Sequence, residues 1–170
     1  MVYVEQAGVI PLHEAAKAGN NAEVAAIIDG GIRADIEDQV GRTALHYAAA
    51  NGNVELVELL LDKGADVNIE TRDGITPLHM AVEKGEYTVT DVLLVNGANV
   101  NTKLYDGLHD GATALHIAAI EGWEDIAQLL ISFGAYADEK TTCGLTPLAM
   151  AMQYGNAEVA TLMKRSGGTS

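Results

Sequence analysis

The chain of 170 residues is poor in aromatic side chains, in cysteine and in positive charge. Phe, Trp and Tyr make up only 5% of it, yet 48% of the residues are hydrophobic. Its core must therefore be built from Ala, Leu, Ile and Val, a set that suits thin helices packed closely. Cys143 is the single cysteine. That excludes an internal disulfide framework and points to a cytoplasmic or other intracellular reducing compartment. No stretch approaches the roughly 20 consecutive apolar residues that span a bilayer. Residues 1–10 carry neither the basic flank nor the long apolar run of a signal peptide, so no membrane is expected among the partners. No Asn-x-Ser/Thr glycosylation site occurs. Ten Lys and Arg stand against 24 Asp and Glu, a formal net charge of -14. Nucleic-acid binding needs a basic patch to neutralise phosphates, and the densest basic spot is Lys164-Arg165. The acidic balance serves solubility, or else attraction to a basic partner; charge alone does not decide between them.

Glycine is plentiful, and its placement organises the chain. Fifteen of the 18 glycines fall in three columns. They are Gly8, Gly41, Gly74, Gly111 and Gly144; Gly19, Gly52, Gly85, Gly122 and Gly155; and Gly31, Gly64, Gly97, Gly134 and Gly167. The steps are 33, 33, 37 and 33 residues, a period that marks a stacked repeat array. The text between them repeats as well. Ile10-Pro11-Leu12-His13, Thr43-Ala44-Leu45-His46, Thr76-Pro77-Leu78-His79, Thr113-Ala114-Leu115-His116 and Thr146-Pro147-Leu148-Ala149 share one column. Three residues after each leucine comes Ala15, Ala48, Ala81, Ala118 or Ala151.

These copies resemble the ankyrin repeat, whose signature is a period of about 33 residues carrying Thr-Pro-Leu-His-x-Ala. The resemblance covers roughly residues 8 to 167. It implies an all-α solenoid: one ankyrin repeat domain over 1–170, with five units at about 5–37, 38–70, 71–103, 104–140 and 141–167. Each unit is expected to be a helix, a turn, a second helix and a short β-hairpin loop. In unit two the spacing predicts a helix from Ala44 to Asn51 that Gly52 stops, and a second from Val54 to Lys63 that Gly64 ends. Thr43 suits an N-cap, and Pro77 and Pro147 suit first helical positions. Ala65 to Arg72 then runs extended into a turn at Asp73-Gly74. Glu23 replaces the apolar residue of the Leu56 column, and Lys164 that of the Leu61 column. Polar end units are expected of a complete array with soluble ends. Residues 1–7 are expected over the first helix, and residues 167–170 as a loose tail.

No constellation of residues carries chemistry. His13, His46, His79 and His116 recur one unit apart, and stacked helices lie about 8–10 Å from one another. Neighbours cannot share a zinc that needs ligands at about 2 Å. The resemblance implies that this histidine hydrogen-bonds backbone between repeats. Asp35, Asn68, Asn101 and Asp138 read as side chains that close their own turns. Asn68 and Asn101 also resemble sites hydroxylated by an asparaginyl hydroxylase in some eukaryotic ankyrin proteins. Cys143 has no histidine beside it and reads as a tolerated exposed thiol. There is no phosphate-binding loop, no dinucleotide fingerprint and no His-Glu-x-x-His. No cofactor or metal is expected, and an enzyme is the weakest of the functional readings.

What remains is surface. The resemblance implies that a partner protein binds the concave face, made of hairpin tips and the ends of the first helices. Carried over by position, that face takes Gln39, Val40, Arg42 and Asn51 from unit two, and Arg72, Ile75, Glu83 and Lys84 from unit three. Unit four gives Ala112, Ile120, Glu121 and Trp123; unit five gives Thr142, Leu145, Gln153 and Tyr154. The one step of 37 residues places four extra residues within 104–111. Insertions in repeat proteins map to loops, often on the binding face, although tolerant loops also drift. Leu104, Tyr105, Leu108 and His109 therefore join the candidates, the first three as apolar residues in a segment expected to be exposed. The expected function is a monomeric, non-catalytic interaction module: an adaptor, an inhibitor or a targeting protein. The alternative is an acidic sequestering protein that occupies a basic surface of its partner by charge.

Overall fold

The computed structural model describes residues 11–105, 107 and 110–167. Among them lie α1 (Pro11–Lys17), α2 (Asn21–Asp29), α3 (Ala44–Ala50), α4 (Val54–Asp62) and α5 (Pro77–Glu83). α6 (Tyr87–Val95), α7 (Ala114–Glu121), α8 (Glu124–Ser132), α9 (Pro147–Gln153) and α10 (Ala157–Arg165) complete the set. The expected placement of residues 1–7 falls outside the described residues.

Local chemistry sets these boundaries. Thr43, Thr76, Thr113 and Thr146 are the N-caps of α3, α5, α7 and α9. In the first three the histidine at the third helical position closes a capping box, where Glu or Gln is the usual partner. Thr43 N–H donates to His46 Nδ1 at 3.1 Å, and the equivalents at Thr76 and Thr113 are also 3.1 Å. At the other end of α3, Gly52 adopts φ 67°. Its N–H reaches Ala49 O, and Asn53 N–H reaches Ala48 O at 3.1 Å. This termination requires a left-handed residue, which glycine supplies without strain. The expected ends at Asn51 and Lys63 are one residue long, because both residues are C-caps.

Two short helices cannot bury their apolar faces alone, so the units stack. α1, α3, α5, α7 and α9 form an inner row; α2, α4, α6, α8 and α10 form an outer row. Substantial contacts join only helices of the same or of neighbouring units. Leu12, Leu45, Leu78, Leu115 and Leu148 are buried, as are Ala15, Ala48, Ala81, Ala118 and Ala151. The small alanines let successive first helices approach. Leu56, Leu60, Leu93, Ile126 and Leu130 fill the space between the rows. Glu23 and Lys164 are exposed at the two ends.

Histidine and asparagine stitch the units together. His46 Nε2 donates to Ile75 O at 2.9 Å and His79 Nε2 to Thr102 O at 3.1 Å. His116 Nε2 donates to Leu145 O at 3.2 Å and His13 Nε2 to Ile36 O at 2.9 Å. In unit one, where Ile10 stands in the threonine column, His13 Nδ1 is buried without a hydrogen-bond partner among the described residues. The asparagine column corrects an expectation. Asn68 does not close its own turn: its Nδ2 donates to Gly97 O at 3.1 Å and its Oδ1 accepts Asn99 N–H at 2.7 Å. Asn101 does the same to Gly134 O and Tyr136 N–H, and Asp35 accepts Asp66 N–H. These side chains thus span the junction between units.

The loops between units form no β-strand among the described residues. Each is a turn closed at its base: Thr71 N–H donates to Ile75 O at 2.9 Å and Gly74 N–H to Thr71 O at 3.0 Å. So few residues face one another that no ladder forms.

Candidate interaction face

The inner face is built from three rows of side chains. One comes from the first helices, at the position after the histidine: Glu14, Tyr47, Met80, Ile117 and Met150. A second comes one turn later: Lys17, Ala50, Glu83, Ile120 and Gln153. The third comes from the loop bases: Arg42, Ile75, Ala112 and Leu145. Candidates Arg42, Ile75, Ile120 and Leu145 are half-buried on this face, whereas Arg72, Tyr105 and Tyr154 are exposed. Tyr47, Ile117 and Met150 escape the sequence-based set. Their signal was available: each directly follows the histidine column in a helix that buries its other side.

Two expectations fail on burial. Leu104 is only 6% exposed and Ala112 is fully buried. Leu104 N–H donates to Ala112 O at 2.8 Å, and Gly111 N–H to Leu104 O at 2.8 Å. The same bonds link Thr71 to Ile75 and Gly74, and Thr141 to Leu145 and Gly144. Leu104 thus occupies the inward position of Thr71 and Thr141, both also buried. This register places the four extra residues at 106–109, between Tyr105 and Asp110. Leu108 and His109 lie outside the described residues. Gly107 is exposed, with nothing within 4 Å of where a Cβ would stand.

Tyr105 and Trp123 are both exposed and structural. Tyr105 is 63% exposed, but its N–H donates to Asp73 O at 2.8 Å and its ring covers Gly74. Trp123 is the N-cap residue of α8, 37% exposed. Its indole lies over Gly85, where a Cβ would stand 2.8 Å from Cζ2. Asn53, Glu86 and Asn156 cover Gly19, Gly52 and Gly122 in the same way. Trp123 therefore packs back on unit three instead of forward.

Electrostatically the face is graded along the stack. Near its start Lys17 Nζ lies 4.7 Å from the centre of the Tyr47 ring and Arg42 Cζ 6.0 Å from it. Tyr47 OH donates to Asp38 Oδ2 at 2.5 Å. Burial opposes ionisation of Asp38, but this hydroxyl and the N–H groups of Arg42 and Val40 hold its carboxyl below the usual range. Burial and the Asp38 carboxylate raise the Tyr47 phenol. Further along, Ile75, Leu104, Ala112, Ile117 and Ile120 line a groove of about 280 Å³, with Glu83 and Glu121 at its rim. A second groove of about 250 Å³ lies between units four and five, lined by Leu145, Met150 and Tyr154 among others. Cys143 is exposed beside it. Among the described residues no group of His, Cys, Asp and Glu is arranged to hold a metal ion, and no helix is long and apolar enough to cross a membrane.

The family described as ankyrin repeats (3 copies) matches residues 12–104 and 102–168. The chain belongs to the ankyrin repeat family. No curated protein matches it. Ankyrin repeats are generally protein–protein interaction modules and are typically non-catalytic.

Proposed function

We propose that this protein is a non-catalytic module that binds one partner protein along its inner, concave face, as an adaptor, an inhibitor or a targeting protein. The observation that carries the reading is the apolar groove between units three and four. Ile75, Ile117 and Ile120 stay partly open to solvent on its floor, which supports an apolar contact there. Tyr105 and Tyr154, both exposed, are the proposed aromatic anchors, Tyr154 lining the neighbouring groove of units four and five. Arg42, Arg72 and Leu145 extend the contact, and Leu108 and His109 of the inserted segment complete the proposed set. Glu55, Glu58, Asp62, Glu124 and Asp125 are exposed on the outer helices, whereas Glu83 and Glu121 line the groove itself.

The test is photo-crosslinking from defined positions. A crosslinker at Ile120 or Tyr154 is expected to trap the partner, and one at Glu58 on the outer row is not. The complex is expected to survive rising salt, which would dissolve a charge-driven one. Trapping only from Glu58 would refute the concave-face reading.

A further inference from the structure

We propose that Asn96 is a site of covalent modification: its side-chain amide is lost through attack by the Gly97 backbone nitrogen, and the product loosens the joint between units two and three.

The chemistry needs a side-chain amide followed by an unhindered backbone nitrogen. Gly97 N attacks Asn96 Cγ and closes a cyclic imide. The Cγ–Nδ2 bond breaks, and the amide nitrogen leaves as ammonia, carrying the proton of the Gly97 N–H. Solvent water then opens the ring. Addition at Cγ gives aspartate; addition at the main-chain carbonyl gives isoaspartate, which is joined to Gly97 through its side chain. Nothing is oxidised or reduced.

Two asparagines precede glycine, Asn51 and Asn96. The others precede residues whose side chains crowd the attacking nitrogen, among them the β-branched Val54, Ile69, Val100 and Thr102. The structure separates the two candidates. Both are exposed C-cap residues, Asn51 of α3 and Asn96 of α6. Asn51 Nδ2 donates to Lys17 O in unit one at 3.0 Å. The Glu86 carboxylate lies over Gly52, where its charge opposes loss of the proton from the attacking nitrogen. Asn96 Nδ2 instead donates within its own helix, to Val92 O at 2.8 Å. Gly97 is exposed, with nothing within 4 Å of where a Cβ would stand. Gly97 N–H donates to Leu94 O at 3.0 Å and Asn96 has ψ 13°, so the ring closes only after the last turn of α6 opens. These bonds all lie within α6, and helix ends fray. Freeing the Asn51 side chain breaks a contact between units as well.

The consequence falls on the neighbouring unit. Asn68 Nδ2 donates to Gly97 O at 3.1 Å, and Asn68 Oδ1 accepts Asn99 N–H at 2.7 Å. Isoaspartate lengthens the main chain by a methylene group immediately before Gly97 and displaces that carbonyl from Asn68. Aspartate keeps the chain length, but it sets a negative charge at the C-terminal end of α6 and against Val92 O, where a donor stood.

The test incubates the intact protein in warm, mildly alkaline buffer. Peptide mass spectrometry follows each asparagine, and an isoaspartate methyltransferase labels isoaspartate. Asn96 is expected to gain the mass of an amide-to-acid exchange about tenfold faster than Asn51, the ratio that one further hydrogen bond to break would give. The urea midpoint of the incubated protein is expected to fall in step. That of Asn96→Gln, whose longer side chain cyclises poorly, is expected to stay constant. Asn51 reacting as fast as Asn96 would overturn the site. So would no gain at Asn96 over a period in which the protein unfolded in guanidinium chloride acquires one. A gain at Asn96 with an unchanged urea midpoint would overturn the loosening of the joint.

Discussion

Trp123 and Gly85 meet across the junction of units three and four, and each limits what the other can be. A methyl group on Gly85 would stand 2.8 Å from the indole and would also force a side chain into φ 73°. Gly64 has a similar φ of 84° but nothing within 4 Å. Gly85→Ala is therefore expected to cost about 1–3 kcal/mol more than Gly64→Ala, since only the first adds overpacking to backbone strain. Urea denaturation of the two variants measures the difference, and equal losses would mean the indole yields freely. The lone tryptophan was legible in the sequence as a candidate anchor, but its role was not. Its neighbours in the column, Asn53, Glu86 and Asn156, are polar and gave no hint of a packing position. Asn68 was misread for a related reason. Its partners, Gly97 and Asn99, lie a full unit away, and a reading of one turn at a time cannot find them. Asn68→Ala should lose both junction bonds and about 1–3 kcal/mol, again read from denaturation.

At the scale of elements, the first helices carry a pH dependence. Burial, opposed by the Nε2 bond to the next unit's carbonyl, pushes His46 and His79 down to about 4 and lowers His116 as well. The bonding explains why: Nε2 donates to a carbonyl and Nδ1 accepts the threonine N–H, so a second proton must break the N-cap. The folded state holds these rings neutral while the unfolded chain protonates near pH 6.5. Their contribution is complete above about pH 6.5 and is lost as pH falls toward 4, by up to about 1.4 kcal/mol per histidine per pH unit. Urea midpoints should drop between pH 6.5 and 5, before most carboxylates titrate; a flat profile there would refute the account. The loop of unit four makes a second prediction at this scale. Its base already pairs Leu104 with Ala112 as Thr71 pairs with Ile75. Deleting residues 106–109 should leave the melting temperature within a few degrees. Adding Leu104→Thr to the deletion rebuilds the ordinary turn, in which Thr71 Oγ1 accepts Ile75 N–H at 3.2 Å. A collapse of the helical signal on deletion would show that the extra residues hold the stack. The helices and their caps were legible because Gly, Thr and Pro act within a few residues. The inward turn of Leu104 was not, because hydrophobicity in a loop reads as exposure until the register of the turn is known.

As a whole molecule the stack is held by substantial contacts between helices of the same or neighbouring units among the described residues. Stability is then close to a sum of unit and junction terms, and the end units have one junction each. Amide exchange should accordingly be fastest in α1, α2, α9 and α10 and slowest in α3 to α8, and uniform protection would contradict a linear array. The all-α repeat fold followed from the period and the motif repeated within it. The grading of the inner face did not, since it depends on which side chains the loops bring beside the helix rows. The placement of Trp123 has an optical consequence. It is the only indole in the chain, and it sits at the joint between the third and fourth units. Its emission colour therefore reports on that joint alone, whereas circular dichroism averages over every helix. A red shift that precedes the loss of ellipticity would mean the array parts in the middle, and a shift that lags would mean it unravels from its ends.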